Sequence, residues 1–373
     1  MQIRRALGLG VAVALCATAT PALAQRNNNR NQPQQQQPRA MPADPDTVTL
    51  VQLVEAVSGG QQPAPSDIPV TWESNHFVKG QGGITYIPFT LAVGAPGASA
   101  AVYIRAVNKN QPAPAPAPVA APAANTNNRN NRNQPAAAPP AAPQFAWDNI
   151  HFLTIPADGK LSRAIALQPG EYDLFIAVKE RSATPPAPAK PGAAAPPAEP
   201  TKMTVLRRDL SVPDFNKMEL QTSSVILASS VEPIAQQLTP AEQEANPYVF
   251  GPMRIVPATA GRFSKASELQ VIFWIYGASE GPGGKPDVTV EFNFHQKLAD
   301  GTEKYFNKTE PQVLNASSLP PEFSVAAGHQ LPGSLVVALT PFPVGDYRLE
   351  IKVTDKPSGK VVTQNVNFTV VAV

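Results

Sequence analysis

The sequence predicts an all-β protein built from two tandem β-sandwiches carrying low-complexity insertions, and three observations lead there. One phrase occurs twice, 175 residues apart: LQPGEYDLFIAV over 167–178 and VGDYRLEIKV over 344–353. Gly170, Tyr172, Leu174, Ile176 and Val178 thereby fall on Gly345, Tyr347, Leu349, Ile351 and Val353. A phrase repeated at domain spacing is a sign of internal duplication. Short apolar runs of period two, punctuated by Gly, Pro, Asn and Asp, fill most of the rest, and few segments carry a helical period. Nearly half of the 43 prolines sit in three tracts, 25–46, 111–143 and 182–200, that precede or interrupt these runs.

The N-terminus reads as a secretory signal over residues 1–24. Arg4 and Arg5 precede an apolar run from Ala6 to Ala17, too short to span a bilayer, and Ala22-Leu23-Ala24 supplies a small-x-small cleavage site. Cys16, the one cysteine, lies inside this signal and lacks the leucine three residues earlier that a lipoprotein signal carries. A chain cleaved after Ala24 has no disulfide, thiolate metal site or cysteine nucleophile. Removing Arg4 and Arg5 leaves 28 basic against 28 acidic side chains, so nothing suggests a nucleic-acid partner, which would need a concentrated basic face.

Residues 25–46, rich in Asn, Gln and Pro, are expected to be a disordered tail. The first sandwich is assigned to 47–212. TVTLVQLVEAV (47–57) is expected as its first strand, followed by ITYIPFTLAV (84–93), which Pro88 should push to a sheet edge or a bulge. Strands are then expected at 98–107, 145–155 and 161–167, in the Tyr172 phrase, and at 203–212. The tracts at 111–143 and 182–200 sit where hairpin turns belong. The counterpart of the second tract in the other copy is only KPSGK (356–360), so these tracts read as disordered inserted loops, tolerated because closure entropy grows only logarithmically with loop length. RNNNRNQP at 26–33 returns as RNNRNQP at 129–135, either as a surface-contacting element or as polar spacer.

Residues 213–250 read as a linker with one extra strand in LQTSSVILASS and a short helix beginning at Thr239-Pro240-Ala241-Glu242. There Thr is the N-cap, Pro the first helical residue and Glu the third. The second sandwich is assigned to 251–373, with strands at 253–256, 269–276, 287–295, 302–306, 334–339, 346–354 and 361–371 and turns at Asp300-Gly301 and Ser358-Gly359. Strict alternation in DVTVEFNFH points Val288, Val290, Phe292 and Phe294 inward. Phe77 and Lys79 are matched to Phe263 and Lys265, each pair preceding a long apolar strand.

Seven short alternating strands per unit is the pattern of an immunoglobulin-like sandwich. Leu167-x-Pro169-Gly170-x-Tyr172 resembles the tyrosine corner of fibronectin type III domains and their relatives, and Leu339, Pro343, Gly345 and Tyr347 keep its parts across a longer loop. The stretch FPVGDYRLEIKVTDKPSGKVVTQNVNFTV, with FSKASELQVIFWIYGA and VPDF, is similar to the paired β-sandwich region of large exported proteins from acidobacterial soil bacteria. Some of those carry a von Willebrand A domain or a GWxTD segment, and neither motif occurs here. The resemblance covers 200–373 best and implies fold and exported compartment, with no activity attached.

Catalytic constellations are not legible. His76, His151, His295 and His329 are far apart in sequence, no H-x-x-x-H pair or G-x-S-x-G motif is present, and QGGIT (81–85) and GPGGKPD (281–287) precede strands as turns. Asp287, Glu291, Asn293 and His295 share one face of their strand, either as a sugar or cation site or as the solvated side of a sandwich. The candidate binding residues are Ile272, Trp274 and Tyr276. LQVIFWIY is apolar on both faces, so if Val271, Phe273 and Ile275 face the core, these three form an aromatic outer stripe, exposed to a sugar or protein or packed against the first domain. The expectation is an exported, periplasmic or cell-surface structural or protein-binding module of the envelope, not an enzyme, with no cofactor or metal and no membrane span after cleavage. Its partner would be a protein or an envelope glycan. The alternative is a carbohydrate-binding or accessory domain of an envelope polysaccharide enzyme system.

Overall fold

A computed structural model describes residues 44–110, 145–181 and 201–372, apart from 237, 282 and 283. The signal (1–24), most of the tail (25–46), both inserted tracts and both copies of the RNN(N)RNQP phrase lie outside the described residues.

The first element corrects the strand expected at 47–57: it is a helix, α1 (Pro45–Ser58). The Asp44 side chain caps it by accepting from the Asp46 amide, Pro45 occupies the first turn, and Leu50, Leu53 and Val54 form a buried face at i, i+3 and i+4. Its β-branched residues favour a strand by local propensity. They are overridden because the Leu50 face is buried on a sheet, and Asp46 pairs with Lys179 and Arg181 there.

Eight strands make the first sandwich: β1 (Val70–Asn75), β2 (Val78–Lys79), β3 (Thr85–Val93), β4 (Ser99–Asn108), β5 (Trp147–Thr154), β6 (Lys160–Leu167), β7 (Gly170–Glu180) and β8 (Met203–Val212). One sheet runs β5-β4-β7-β8. In the other, β3 lies between β6 on one side and β1 and β2 on the other. Pro88 therefore sits in an interior strand, not at an edge. It is tolerated because it lies where the partner chain changes from β2 to β1, and its carbonyl accepts from the His76 amide.

The second sandwich contains β9 (Gln221–Thr222), β10 (Ile226–Pro233), β11 (Val249–Phe250), β12 (Met253–Pro257), β13 (Arg262–Ser264), β14 (Glu268–Tyr276), β15 (Val288–Lys297), β16 (Glu303–Lys308), β17 (Gln312–Leu314), β18 (Leu331–Ala338), β19 (Gly345–Asp355) and β20 (Lys360–Val371). Its sheets run β11-β12-β10-β14-β18 and β13-β20-β19-β15-β16. β10 is thus an interior strand of this sheet, so the second sandwich begins well before residue 251, inside the stretch read as linker. The partners that reveal this, β12 and β14, lie downstream and leave no local mark on β10. The short helix is α2 (Pro240–Ala245), with the Thr239 and Glu242 capping box in place.

Duplication is visible in the pairing itself. β1, β3, β4, β5, β6, β7 and β8 pair among themselves as β10, β14, β15, β16, β18, β19 and β20 do. Both tyrosine corners form: the Tyr172 hydroxyl donates to the Gln168 carbonyl at 2.9 Å, and the Tyr347 hydroxyl to the Pro343 carbonyl at 2.8 Å. Gly170 and Gly345 sit at φ of 151° and 149°, a region that side chains avoid, which is why both copies have glycine two residues before the tyrosine. The match of Phe77 and Lys79 to Phe263 and Lys265 does not survive: β2 adds antiparallel to β3, whereas β13 runs parallel to β20 in the opposite sheet.

Val288, Val290, Phe292 and Phe294 do enter the second core, with Val271, Phe273 and Ile275 facing them from β14. Two sheets are covered on both faces. α1 lies over the outer face of β4 and β7, explaining why the apolar run Ala100–Ile104 is buried on both faces. The outer faces of β10, β12 and β14 meet the first sandwich.

Candidate binding cleft at the junction of the sandwiches

Ile272, Trp274 and Tyr276 form this junction. They are only 7%, 5% and 4% exposed, packed with Ile226 and Ala228 of β10, with Phe215 and Tyr248 of the connecting segments, and with Val78 of the first sandwich. The exposed arrangement of the stripe is therefore not found; the packed arrangement is. β14 is apolar on both faces because one face fills its own core and the other fills the seam.

Hydrogen bonds fix the seam in register. The Phe77 amide donates to Ser224 Oγ, and the Ser224 amide donates back to the Phe77 carbonyl, both at 2.9 Å. The Lys79 amide donates to the Tyr276 hydroxyl at 3.0 Å, and the Tyr86 hydroxyl donates to the Pro247 carbonyl at 2.9 Å. Burial pushes the Tyr276 phenol upward and brings those of Tyr86 and Tyr248 up to about 12, so all three hydroxyls stay neutral. His76 Nδ1 lies 3.0 Å from the Tyr248 hydroxyl, and burial holds this imidazole down at about 4. His151 Nδ1 approaches Glu244 of α2 at 3.3 Å. Its basicity is lowered first by burial and then by Arg163, against the opposing pull of Glu244.

At one end the seam opens into a cleft of about 840 Å³, within the range of ligand-binding cavities. The turn Gly80–Gly82 and Tyr86 supply one wall, Gln243 and Val249–Gly251 a second, and the end of β14 with the loop 325–331 the remainder. Trp274 and Tyr276 lie at its base, and Lys79 Nζ stands 6.0 Å from the Tyr276 ring centroid. Lys285 steadies the loop approaching this wall, its ammonium donating to the carbonyls of Pro320, Pro321 and Phe323 at 3.0, 2.6 and 2.5 Å. The His329 ring accepts from the Ser324 amide through Nδ1 at 3.1 Å.

Of the candidate residues, Trp274 and Tyr276 reach this cleft; Ile272 lies deeper in the seam. Lys79, Gln81, His329 and Gln330 were not marked as site residues by the sequence. The signal that could have found them was indirect: a strand apolar on both faces needs a cover, and a Gly-rich turn beside that cover opens a gap. The polar stripe of β15 is neutralised across the sheet, with Asp287 3.0 Å from Lys356, Glu291 3.2 Å from Lys352, and Asn293 donating to Glu350 at 3.3 Å. His76 and His151 belong to the first sandwich and His295 and His329 to the second. Among the described residues no group of three or more His, Cys, Asp and Glu could hold a metal ion. No helix among them is long and apolar enough to cross a membrane.

No protein-family model matches the chain, and no curated protein does. Among solved structures it is similar to Salmonella alpha-2-macroglobulin reacted with methylamine, at 10% identity over 82% of this chain and 17% of that one, TM-score 0.20. It is also similar to the native conformation of E. coli alpha-2-macroglobulin, at 10% identity over 83% and 16%, TM-score 0.20. A third similarity is to a tetra-tandem repeat in the extending region of a large adhesion protein, at 10% identity over 83% and 50%, TM-score 0.19. The chain spans about a sixth of the length of the macroglobulins it matches. TM-scores this low say nothing of what it binds; the sandwich fold rests on its own strand pairing.

Proposed function

We propose that the chain is an exported, non-catalytic module of the cell envelope that binds a partner protein through the junction cleft. The observation carrying this reading is the make-up of the cleft: among its described lining residues are aromatic and aliphatic side chains, amides, bare glycine backbone, one lysine and one histidine, and no Asp, Glu, Ser, Thr or Cys. The common hydrolytic pairings, a Ser, Thr or Cys nucleophile on a histidine or two carboxylates facing each other, draw on residues from that set. The seam joins the two sandwiches through apolar packing and several hydrogen bonds, a rigid frame suited to presenting a preformed surface. Export rests on the signal read in residues 1–24.

The test is a panel of envelope polysaccharides, peptidoglycan and chromogenic esters, offered to the purified chain lacking residues 1–24. No turnover is expected. Hydrolysis that disappears in a Lys79→Gln or His329→Gln variant would place chemistry in the cleft and end the non-catalytic reading.

A further inference from the structure

The cleft also carries information about its occupant, and this inference rests on the protein-binding reading above. We infer that it takes an extended segment of a partner protein in which a carboxylate lies beside a large apolar side chain.

Charge gives the first argument. Lys79 brings a positive charge to the cleft, no Asp or Glu is among the described lining residues, and Lys79 Nζ makes no ion pair or hydrogen bond with other described residues. An anion entering here meets attraction and no opposing carboxylate. Hydrogen-bonding capacity gives the second. The Trp274 indole N–H and the side-chain amides of Gln81 and Gln330 make no hydrogen bond with other described residues, and the indole N–H is not among the buried unpaired atoms, so all three face the cleft with free hydrogen-bonding capacity. The carbonyls and carboxylates of a peptide can take up that capacity.

Shape gives the third argument and separates a peptide from a glycan. A sugar ring stacks on an exposed aromatic face, but Trp274 and Tyr276 are nearly inaccessible and Lys79 stands over the Tyr276 ring. What the lining offers instead is aliphatic and aromatic edge from Ile84, Val249 and Phe250, a socket for an apolar side chain. Gly80, Gly82 and Gly328 leave bare backbone at the rim, where another main chain can approach closely.

The experiment selects binders from a phage-displayed random dodecapeptide library on the chain lacking residues 1–24. Selected peptides are then measured as fluorescein conjugates by polarization. Enriched peptides should pair Asp or Glu with a large apolar residue, and Kd should weaken at least tenfold in Lys79→Glu and several-fold in Gln330→Ala and at raised salt. The Trp274 indole ¹H–¹⁵N resonance should shift on binding. Circular dichroism confirms that both variants fold. No enrichment, enriched peptides without carboxylates, or equal binding by Lys79→Glu would overturn the inference, as would polygalacturonate binding at the cleft in preference to peptides. A partner protein captured at another surface would overturn the inference while leaving the protein-binding reading intact.

Discussion

Acid should loosen the seam, and His76 allows the effect to be sized. Its imidazole, largely buried against the Tyr248 hydroxyl, is held at about 4, against 6.5 for a free histidine, by loss of solvation. The folded state therefore resists protonation while the unfolded chain takes up a proton below 6.5. Stability from this group is fully present above pH 6.5 and is lost as pH falls towards 4. At about 1.4 kcal/mol per pKa unit the loss approaches 3 kcal/mol. His151, facing Glu244 and Arg163, is lowered in the same direction and adds to the trend. The measurement is urea unfolding at a series of pH values between 7.5 and 4.5 for the native chain and His76→Asn, whose amide oxygen can replace Nδ1 as partner to Tyr248. Carboxylates common to both proteins cancel in the difference. The native chain should lose up to about 3 kcal/mol more than the variant across this range. Parallel curves, or a His76 titration by NMR at or above 6.5, would refute the reasoning.

Three further outcomes follow from the packing. Trp274→Ala, which empties the centre of the seam, should cost about 3–5 kcal/mol and split one unfolding transition into two by calorimetry. Tyr172→Phe and Tyr347→Phe each remove one corner hydrogen bond, and each should lower stability by about 1 kcal/mol in chemical denaturation. Gly277→Ala should be far worse than either, although it adds only a methyl group: at φ 64° its Cβ would lie 2.0 Å from the Glu219 carbonyl oxygen, so a backbone segment has to move. Expression and melting temperature report it, and a variant as stable as the native chain would contradict the close approach.

The sequence by itself determined the features that depend on near neighbours. Alternation in β15 announced which residues enter the core, Thr239 and Glu242 announced the cap of α2, and the doubled Gly-x-Tyr phrase announced two equivalent corners, because each is settled within a turn or along one strand. It also showed that β14 was apolar on both faces without showing what lay across from it. Only the tertiary structure decided that. α1 is a helix because a sheet lies beneath its Leu50 face, β10 belongs to the second sandwich because β12 and β14 flank it, and Pro88 is harmless in an interior strand because its partner changes at that point. The cleft is the extreme case. Lys79, Gln243, Trp274 and Gln330 are brought together from four separated segments, and that meeting depends on how two sandwiches dock. Docking is fixed by burial and hydrogen bonds between distant residues, which hydrophobic periodicity along a single segment does not encode.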